Sequence, residues 1–283
     1  MNKFEREIPE VSIVMPSWFT NHQNGKFGEN ETFWFACHCL NRLLATESGV
    51  KFELIIIDNG STLGEGEVNS SRFLYTPSAY FKLADIVIRN KENLGFGPAC
   101  NQGFNIARGK YIVCLNNDIL VWENWLKIMI DDFENEANFN DGQCGVLMPA
   151  LEKTYKDPNE ELTLKKPDLS QNKGEFGPNA GFGSLWMSTK KILNEIRLLN
   201  KEELGVDTVF DETFRIGYGE DRKIWDQIRM TGRNTYRSHN LRVYHLGGLS
   251  MSKAKKNIDN SRVLIDGNRE YLSKWRKKHN IGE

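Results

Sequence analysis

No stretch of the chain reaches the roughly 18 uninterrupted apolar residues that a membrane-spanning helix needs, so a helical membrane protein is not expected. A secretory signal is not expected either, because Met1 to Glu10 carries Lys3, Glu5, Arg6 and Glu7 where such a signal needs an apolar core. The expected location is therefore cytoplasmic. Cysteine is sparse and odd in number, with residues 37, 39, 100, 114 and 144. Two of the five fall inside runs that read as buried strand or helix, which fits reduced core thiols rather than a disulfide framework. Cys37-His38-Cys39 has no second Cys/His pair at zinc-site spacing, which sets structural zinc aside. No internal repeat is visible, and no linker divides the chain convincingly. What remains, with 39% hydrophobic and 27% charged residues, is the composition of an ordinary globular protein rather than a disordered or fibrous one.

Net charge is nearly absent at −1, yet it is unevenly spread. Lys253 to Glu283 holds nine Lys/Arg and four Asp/Glu, a local balance of +5 that leaves −6 on the residues before it. Within that tail, Val263, Leu264, Leu272 and Trp275 punctuate the basic residues, so Ile258 to Lys278 suits an amphipathic helix. Such a helix either packs on the rest of the chain or makes peripheral contact with an anionic membrane surface.

Val11 to Met15, stopped by Pro16-Ser17, reads as a buried strand ending at a loop, and Phe52 to Ile57 reads as a second, ending at Asp58-Asn59-Gly60-Ser61. Thr32 to Leu44 between them has helical spacing, which makes a βαβ unit. The pattern repeats with a strand at Ala84–Arg89, a helix at Gly97–Ala107 and a strand at Lys110–Leu115. The class is α/β, a parallel sheet with helices on both faces. Ligands of such sheets bind at the C-terminal strand ends, and Pro16-Ser17, Asp58, Asn90 and Asn116-Asn117-Asp118 all fall there. Further on, Trp122 to Phe133 reads as a helix, Gly145 to Pro149 as a strand and Lys153 to Phe176 as a long irregular loop. Ser188 to Asn200 and Gly219 to Gly232 have helical spacing, and Leu241 to His245 suits a short strand.

Asn116-Asn117-Asp118 is a D-x-D-like cluster with Asn in the first place. Mg²⁺ or Mn²⁺ on a diphosphate takes one or two carboxylates plus phosphate oxygens, so Asp118 alone can serve, although the same residues also make an ordinary turn. Asp58, at a strand end, can accept from a base imide or a ribose hydroxyl, or simply close the Asp-Asn-Gly turn. Asn93 to Gly103 is glycine-rich just before a helix, where backbone amides can approach an anion.

Taken together, VSIVMPSW, IIIDNGS, NLGFGPACNQGFNIARGKYIVCLNNDI and FDETFRIGYGEDRKIWDQIRMTG resemble the family 2 glycosyltransferases in order and spacing, over roughly residues 11 to 248. The resemblance implies a GT-A fold, in which a mostly parallel nucleotide-binding sheet flanked by helices abuts a smaller acceptor-binding part. On that division, residues 1–252 form the glycosyltransferase domain, with about 1–120 the nucleotide-binding half, about 121–252 the acceptor and catalytic half, and 253–283 a basic helical tail. It further implies that Pro16, Ser17 and Asp58 line a nucleoside pocket with Asn90, Asn93 and Asn101 nearby. Asn116 and Asn117 then lie beside the ribose or diphosphate, and Asp118 holds a divalent cation, Mn²⁺ or Mg²⁺.

Two departures from the family pattern stand out: Asn116 where the metal motif usually has its first carboxylate, and Lys223 where another acid often follows Glu-Asp. Glu220-Asp221 follows Gly217-Tyr218-Gly219 and opens a helical run, a place where carboxylates either meet substrate or complement the helix dipole. Inverting transfer needs a carboxylate to take the acceptor proton, and by resemblance Asp221 is that base, with Glu220 orienting it or binding the acceptor. His245, in a late Tyr-His-Leu-Gly-Gly run, resembles the histidine that returns to the metal or pyrophosphate in many GT-A enzymes, against the plainer reading of a packed residue. Phe182, Trp186 and Tyr218 are aromatic candidates for stacking on acceptor sugars, although core packing is the commoner use of such rings.

The expected reaction moves a sugar from a UDP- or dTDP-linked donor to a glycan, glycolipid or protein acceptor, in bacterial surface polysaccharide or glycoconjugate synthesis, with no nucleic-acid partner. Two rivals remain. A sugar nucleotidyltransferase would need a glycine- and lysine-rich loop after the first strand, where this chain has Pro16-Ser-Trp-Phe-Thr. A catalytically silent glycan-binding protein would not need the Asp118, Asp221 and His245 set.

Overall fold

Four apolar runs lie side by side as parallel strands: β1 (Val11–Ser17), β2 (Phe52–Asp58), β3 (Ile86–Arg89) and β4 (Tyr111–Leu115), in the order β3-β2-β1-β4. They belong to a computed structural model that describes residues 7–20, 30–46, 49–65, 75–139, 144–153, 183–214, 219–245 and 261–282. Ile55, Ile56 and Ile57 are all fully buried, and successive strand residues point to opposite faces, so both faces of the sheet are covered here. That is why these strands read as unbroken apolar runs. The crossovers carry α1 (Glu31–Thr46), α2 (Pro77–Lys82) and α3 (Phe96–Ile106). Helix α2 is short but well signalled, since Pro77 opens it and the Thr76 hydroxyl accepts from the Ala79 amide at 3.3 Å.

Beyond β4 the sheet continues as β7-β6-β8-β5 and the strand directions become mixed. The elements are β5 (Ile119–Leu120), α4 (Trp125–Phe139), β6 (Cys144–Lys153), β7 (Leu185–Thr189), α5 (Lys190–Leu204), α6 (Glu220–Met230) and β8 (Asn234–His245). Strand β7 runs antiparallel to β4 and β6, β8 runs parallel to β6, and the two-residue β5 pairs antiparallel with the end of β8. Two sequence expectations shift here. Ser188 and Thr189 belong to β7, paired with Ile112 and Tyr111, and helix α5 starts only at Lys190, with Thr189 as its N-cap. Strand β8 begins seven residues before Leu241, because Asn234 to Asn240 is too polar to show strand alternation. Its buried Ser238 is satisfied by Asp132 of α4, which also accepts from Asn240 Nδ2 at 2.6 Å.

The basic tail forms α7 (Ser261–Lys278). Its apolar face is turned onto the fold, with Ile265, Leu272 and Trp275 buried and the latter two clustered with Phe214. Among the described residues no helix is long and apolar enough to cross a membrane. The loop expected at 153–176 lies, from residue 154 on, outside the described residues.

Candidate active site

Ser17 and Asp58 are register partners at the ends of β1 and β2, and Arg89 stands beside Asp58 at the end of β3. Parallel strands in this register bring their C-terminal residues to one edge. Asp58 is buried, with Oδ1 accepting from the Ser61 amide at 3.0 Å and Oδ2 from Arg89 Nη1 at 3.2 Å. The Arg89 guanidinium lies over the Phe81 ring and is mostly exposed, so it offers a cation at the rim. Ser17 Oγ lies 3.3 Å from the hydroxyl of Tyr80, which α2 delivers. Pro16, one residue earlier, is half-buried opposite Ile57.

Asn59 is the hub of this edge. Its Nδ2 donates to Asn93 Oδ1 and Gly95 O, and its Oδ1 accepts from Asn90 Nδ2 and the Leu94 amide, all within 3.1 Å. Asn90 and Gln102 exchange two more amide bonds at 3.0 and 2.9 Å. Asn90 and Asn93 therefore brace the loop into α3, and the Asn93 residue remains exposed. Asn101 is a correction. It is 2% exposed, its Nδ2 donates to Phe210 O and Glu212 Oε1, and its Oδ1 accepts from the Phe210 amide. With both donors and its acceptor spent internally, it fastens the 209–214 segment to α3 rather than facing a nucleotide.

At the next strand end, Asn116, Asn117 and Asp118 make the turn from β4 to β5. Pairing of Ile119 with His245 sets the imidazole next to this turn, with Nε2 3.2 Å from Asp118 Oδ1. Among the described residues, Asn116 Oδ1 and Asp118 Oδ1 are buried without a hydrogen-bond partner, and no group of three or more His, Cys, Asp or Glu gathers. One carboxylate and one imidazole are too few for a closed metal cage. They do fit a hard divalent cation that draws its other ligands from phosphate oxygens. Cys37 and Cys39 are buried cysteines outside any disulfide, and burial pushes the Cys37 thiol up to about 12.

Glu220 and Asp221 form the first turn of α6, after Gly219 at φ 110°. Asp221 Oδ1 accepts from the Arg222 amide at 2.8 Å and Oδ2 from the Gly183 amide at 3.2 Å. Gly183 has to be glycine for this, because a Cβ there would stand 2.7 Å from Asp221 Oδ2. The adjoining Ser184 carbonyl accepts from the Asn116 amide at 2.8 Å. A single two-residue turn thus links the Asn116–Asp118 tip to the carboxylate of Asp221. Burial first, and then the Asp221 charge, push the Glu220 carboxyl up to about 8, and Glu220 Oε2 has no partner among the described residues. Burial raises Asp221 as well, but the Arg222 and Gly183 amides oppose it. Within the pair, the carboxylate held by amides ionises first and Glu220 keeps its proton.

Trp186 is the second correction. It is fully buried, ringed by Phe104, Phe210 and Trp225 at centroid distances of 5.6 to 6.2 Å, and has no face left for a sugar. Phe182 and Tyr218 lie outside the described residues. Asn117 is buried within its turn. Arg89, Asn59, Tyr80 and Ser184 escaped the sequence reading. Only Arg89 left a signal, as a cation closing a strand-like run that follows the one ending in Asp58.

A family model described as Glycosyl transferase family 2 matches residues 35–197. A curated relative, Glycosyltransferase GlyG of Streptococcus pneumoniae serotype 4, is 26% identical over 129 residues, which is 44% of this chain. The matched stretch spans 36% of that relative's length. Among solved structures, S. aureus TarS 1–349 superposes with a TM-score of 0.51 at 13% identity, covering 93% of this chain and 69% of that one. The same protein in complex with UDP-GlcNAc gives a TM-score of 0.53 at 14% identity, covering 86% and 61%. At such identities the likeness carries the fold, which is the GT-A architecture.

Proposed function

The chain belongs to glycosyl transferase family 2, and on that premise we propose that it transfers a sugar, with inversion, from a nucleotide diphosphate to an acceptor hydroxyl. The observation that carries this reading is the Gly183–Ser184 turn, which ties the base candidate Asp221 and the Asn116–Asp118 strand tip to one point of the backbone. A single displacement needs those two functions on opposite sides of one anomeric carbon. In the proposed reaction Asp221 takes the proton of the acceptor hydroxyl while that oxygen bonds to the anomeric carbon, and the bond from that carbon to the diphosphate oxygen breaks. Its two backbone amides aim Asp221 and oppose the effect of burial on its charge, and protonated Glu220 avoids a second negative charge beside it. Asp118 and His245 would hold a Mn²⁺ or Mg²⁺ ion, which when bound supplies positive charge to the leaving diphosphate.

Asp58, with Ser17, Arg89 and the Asn59-braced loop, forms the proposed nucleoside end. TarS, solved with UDP-GlcNAc and with UDP, supports a uridine donor. The acceptor half is assigned to residues from about 121 onward, with Phe182 and Tyr218 retained as candidate acceptor contacts. The proposed setting is cytoplasmic synthesis of a surface polysaccharide or glycoconjugate. The test is Asp221→Asn, an isostere that cannot accept the proton. Turnover should fall about a thousandfold while donor affinity, read by calorimetry, stays within twofold. Turnover near the wild-type value would overturn the assignment, and a retained configuration at the new anomeric proton by NMR would overturn inversion.

A further inference from the structure

Helix α6 carries the carboxylate pair on its first turn, and a buried polar cluster grips the same helix one turn later. Lys223 is 1% exposed, among the largest fully buried side chains of the molecule. Its Nζ donates to Asp211 Oδ2 at 2.6 Å and lies 4.9 Å above the Trp275 ring. Asp211 is filled from three sides, since Tyr271 Oη donates to the same Oδ2 at 2.6 Å and the Thr213 amide donates to Oδ1 at 2.9 Å. Burial opposes the charge on Asp211, but the bonds from Lys223 and Tyr271 outweigh it and hold its carboxyl below the usual range. Tyr271 and Trp275 belong to α7, and Arg276 of α7 makes a two-pronged bond to Asp226 of α6 at 2.7 and 3.2 Å. Asp211 belongs to the segment that Asn101 fastens to α3.

The grip reaches the helix start itself. Gly219, at φ 110°, has Phe214 so close that a Cβ would stand 2.9 Å from its ring, and Leu272 of α7 would lie 3.6 Å away. Phe214 packs edge-on against Tyr271 at 5.2 Å. Three elements remote in sequence therefore converge behind the first turn of α6: α3 through Asn101, the 209–214 segment, and α7. An ion pair sealed from water adds little net stability, so the use of this one is sought in the arrangement it fixes.

We propose that the Lys223–Asp211–Tyr271 cluster is a positioning device by which α7 fixes the first turn of α6, making Tyr271 a positioning residue for the carboxylate of Asp221. The inference rests on the reading of Asp221 as the base. It gives the basic tail a role inside the catalytic unit, and it accounts for lysine at 223. A loosened first turn would leave the donor site at the sheet edge intact and would blur only the aim of Asp221, so kcat should respond without KM.

Tyr271→Phe removes one hydroxyl and keeps the ring. It should lower kcat five- to tenfold, with donor KM within twofold of wild type. In the Asp221→Asn background the same change should have no further effect on residual turnover, because a positioning residue acts only through the group it positions. A kcat equal to wild type, or an equal loss in both backgrounds, overturns the proposal. If Asp221→Asn itself turns over normally, the base reading fails instead, so the two failures are distinguishable. Where Tyr271→Phe does not accumulate as folded protein, the pair Lys223→Met with Asp211→Asn removes both charges together and leaves neither unpaired. It is read by the same kinetics, with a kcat loss expected and a wild-type kcat overturning the idea.

Discussion

The C-terminal rim of the parallel strands carries two polar stretches, an Asn59 edge and an Asn116–Asp118 edge, built on opposite terms. Around Asn59, every described amide bond is closed on another protein group: Asn90, Asn93, Gly95, Leu94 and Gln102 satisfy one another, and Asp58 is held by Arg89 and Ser61. At the other edge, Asn116 Oδ1, Asp118 Oδ1 and Glu220 Oε2 are buried without a hydrogen-bond partner among the described residues. Buried polar atoms are rarely left so, because each costs about 1–3 kcal/mol of desolvation. The first edge is complete before any ligand arrives and so supplies shape. The second, where among the described residues only the His245 imidazole stands near the Asp118 carboxylate, leaves acceptors open to a group that brings donors or a cation.

Asp118→Asn sharpens this contrast most. It removes the one acidic group of the β4 tip while keeping its volume, and turnover should drop about a hundredfold or more if this carboxylate holds the cation at the leaving diphosphate. Stability should change little, since a buried carboxylate whose described ionic neighbour is the His245 imidazole, 3.2 Å from Oδ1, is exchanged for a neutral amide of the same shape. Steady-state kinetics with added Mn²⁺ and a urea titration measure the two effects. A stability loss with turnover retained would make this edge structural and erase the distinction.

At the complete edge the signs reverse. Asn59→Ala deletes four hydrogen bonds to Asn93, Gly95, Asn90 and Leu94. Water can replace part of what is lost at the exposed Asn93–Leu94 loop, so the cost should be about 2–3 kcal/mol in urea unfolding. Donor KM should rise as the loop loosens, with kcat little altered. An unchanged unfolding midpoint would show that the asparagine network is decoration on an already rigid edge.

What the sequence disclosed follows the same division. The β1 to β4 half was legible because two covered sheet faces demand unbroken apolar runs, and those runs end in Ser17, Asp58 and Asp118. Past β4 the cues weaken. The first half of β8 is polar because Asp132 satisfies its buried Ser238 from another element, and the direction of β7 depends on pairing with β4 that no local pattern records. Asn101 and Trp186 were misread for a related reason. A buried amide clamping a distant backbone and a core tryptophan have the same local sequence as a ligand contact, and only tertiary packing separates them. The helix start at Glu220-Asp221 was legible from its place after Gly219, but the amide that Asp221 receives from Gly183, 38 residues earlier, was not.

The smallest effect discriminates the two edges by pH. Glu220 is buried with its carboxyl pushed up to about 8, first by desolvation and then by Asp221, so the folded protein holds a proton that the unfolded chain releases near an ordinary carboxylate pKa. A group raised in this way contributes stability that is fully present below the unfolded pKa and is lost as pH rises through the folded one. Glu220→Gln keeps the neutral shape and cannot ionise. Its melting temperature should therefore match wild type near about pH 4 and exceed it by a few degrees near about pH 8.5, with the gap opening across the interval between. Asn59→Ala, which titrates nothing, should show a constant deficit over the same range. A parallel offset for Glu220→Gln at every pH would mean that Glu220 titrates alike in the folded and unfolded chain, and with it would go the argument that Asp221 alone carries the charge at this edge.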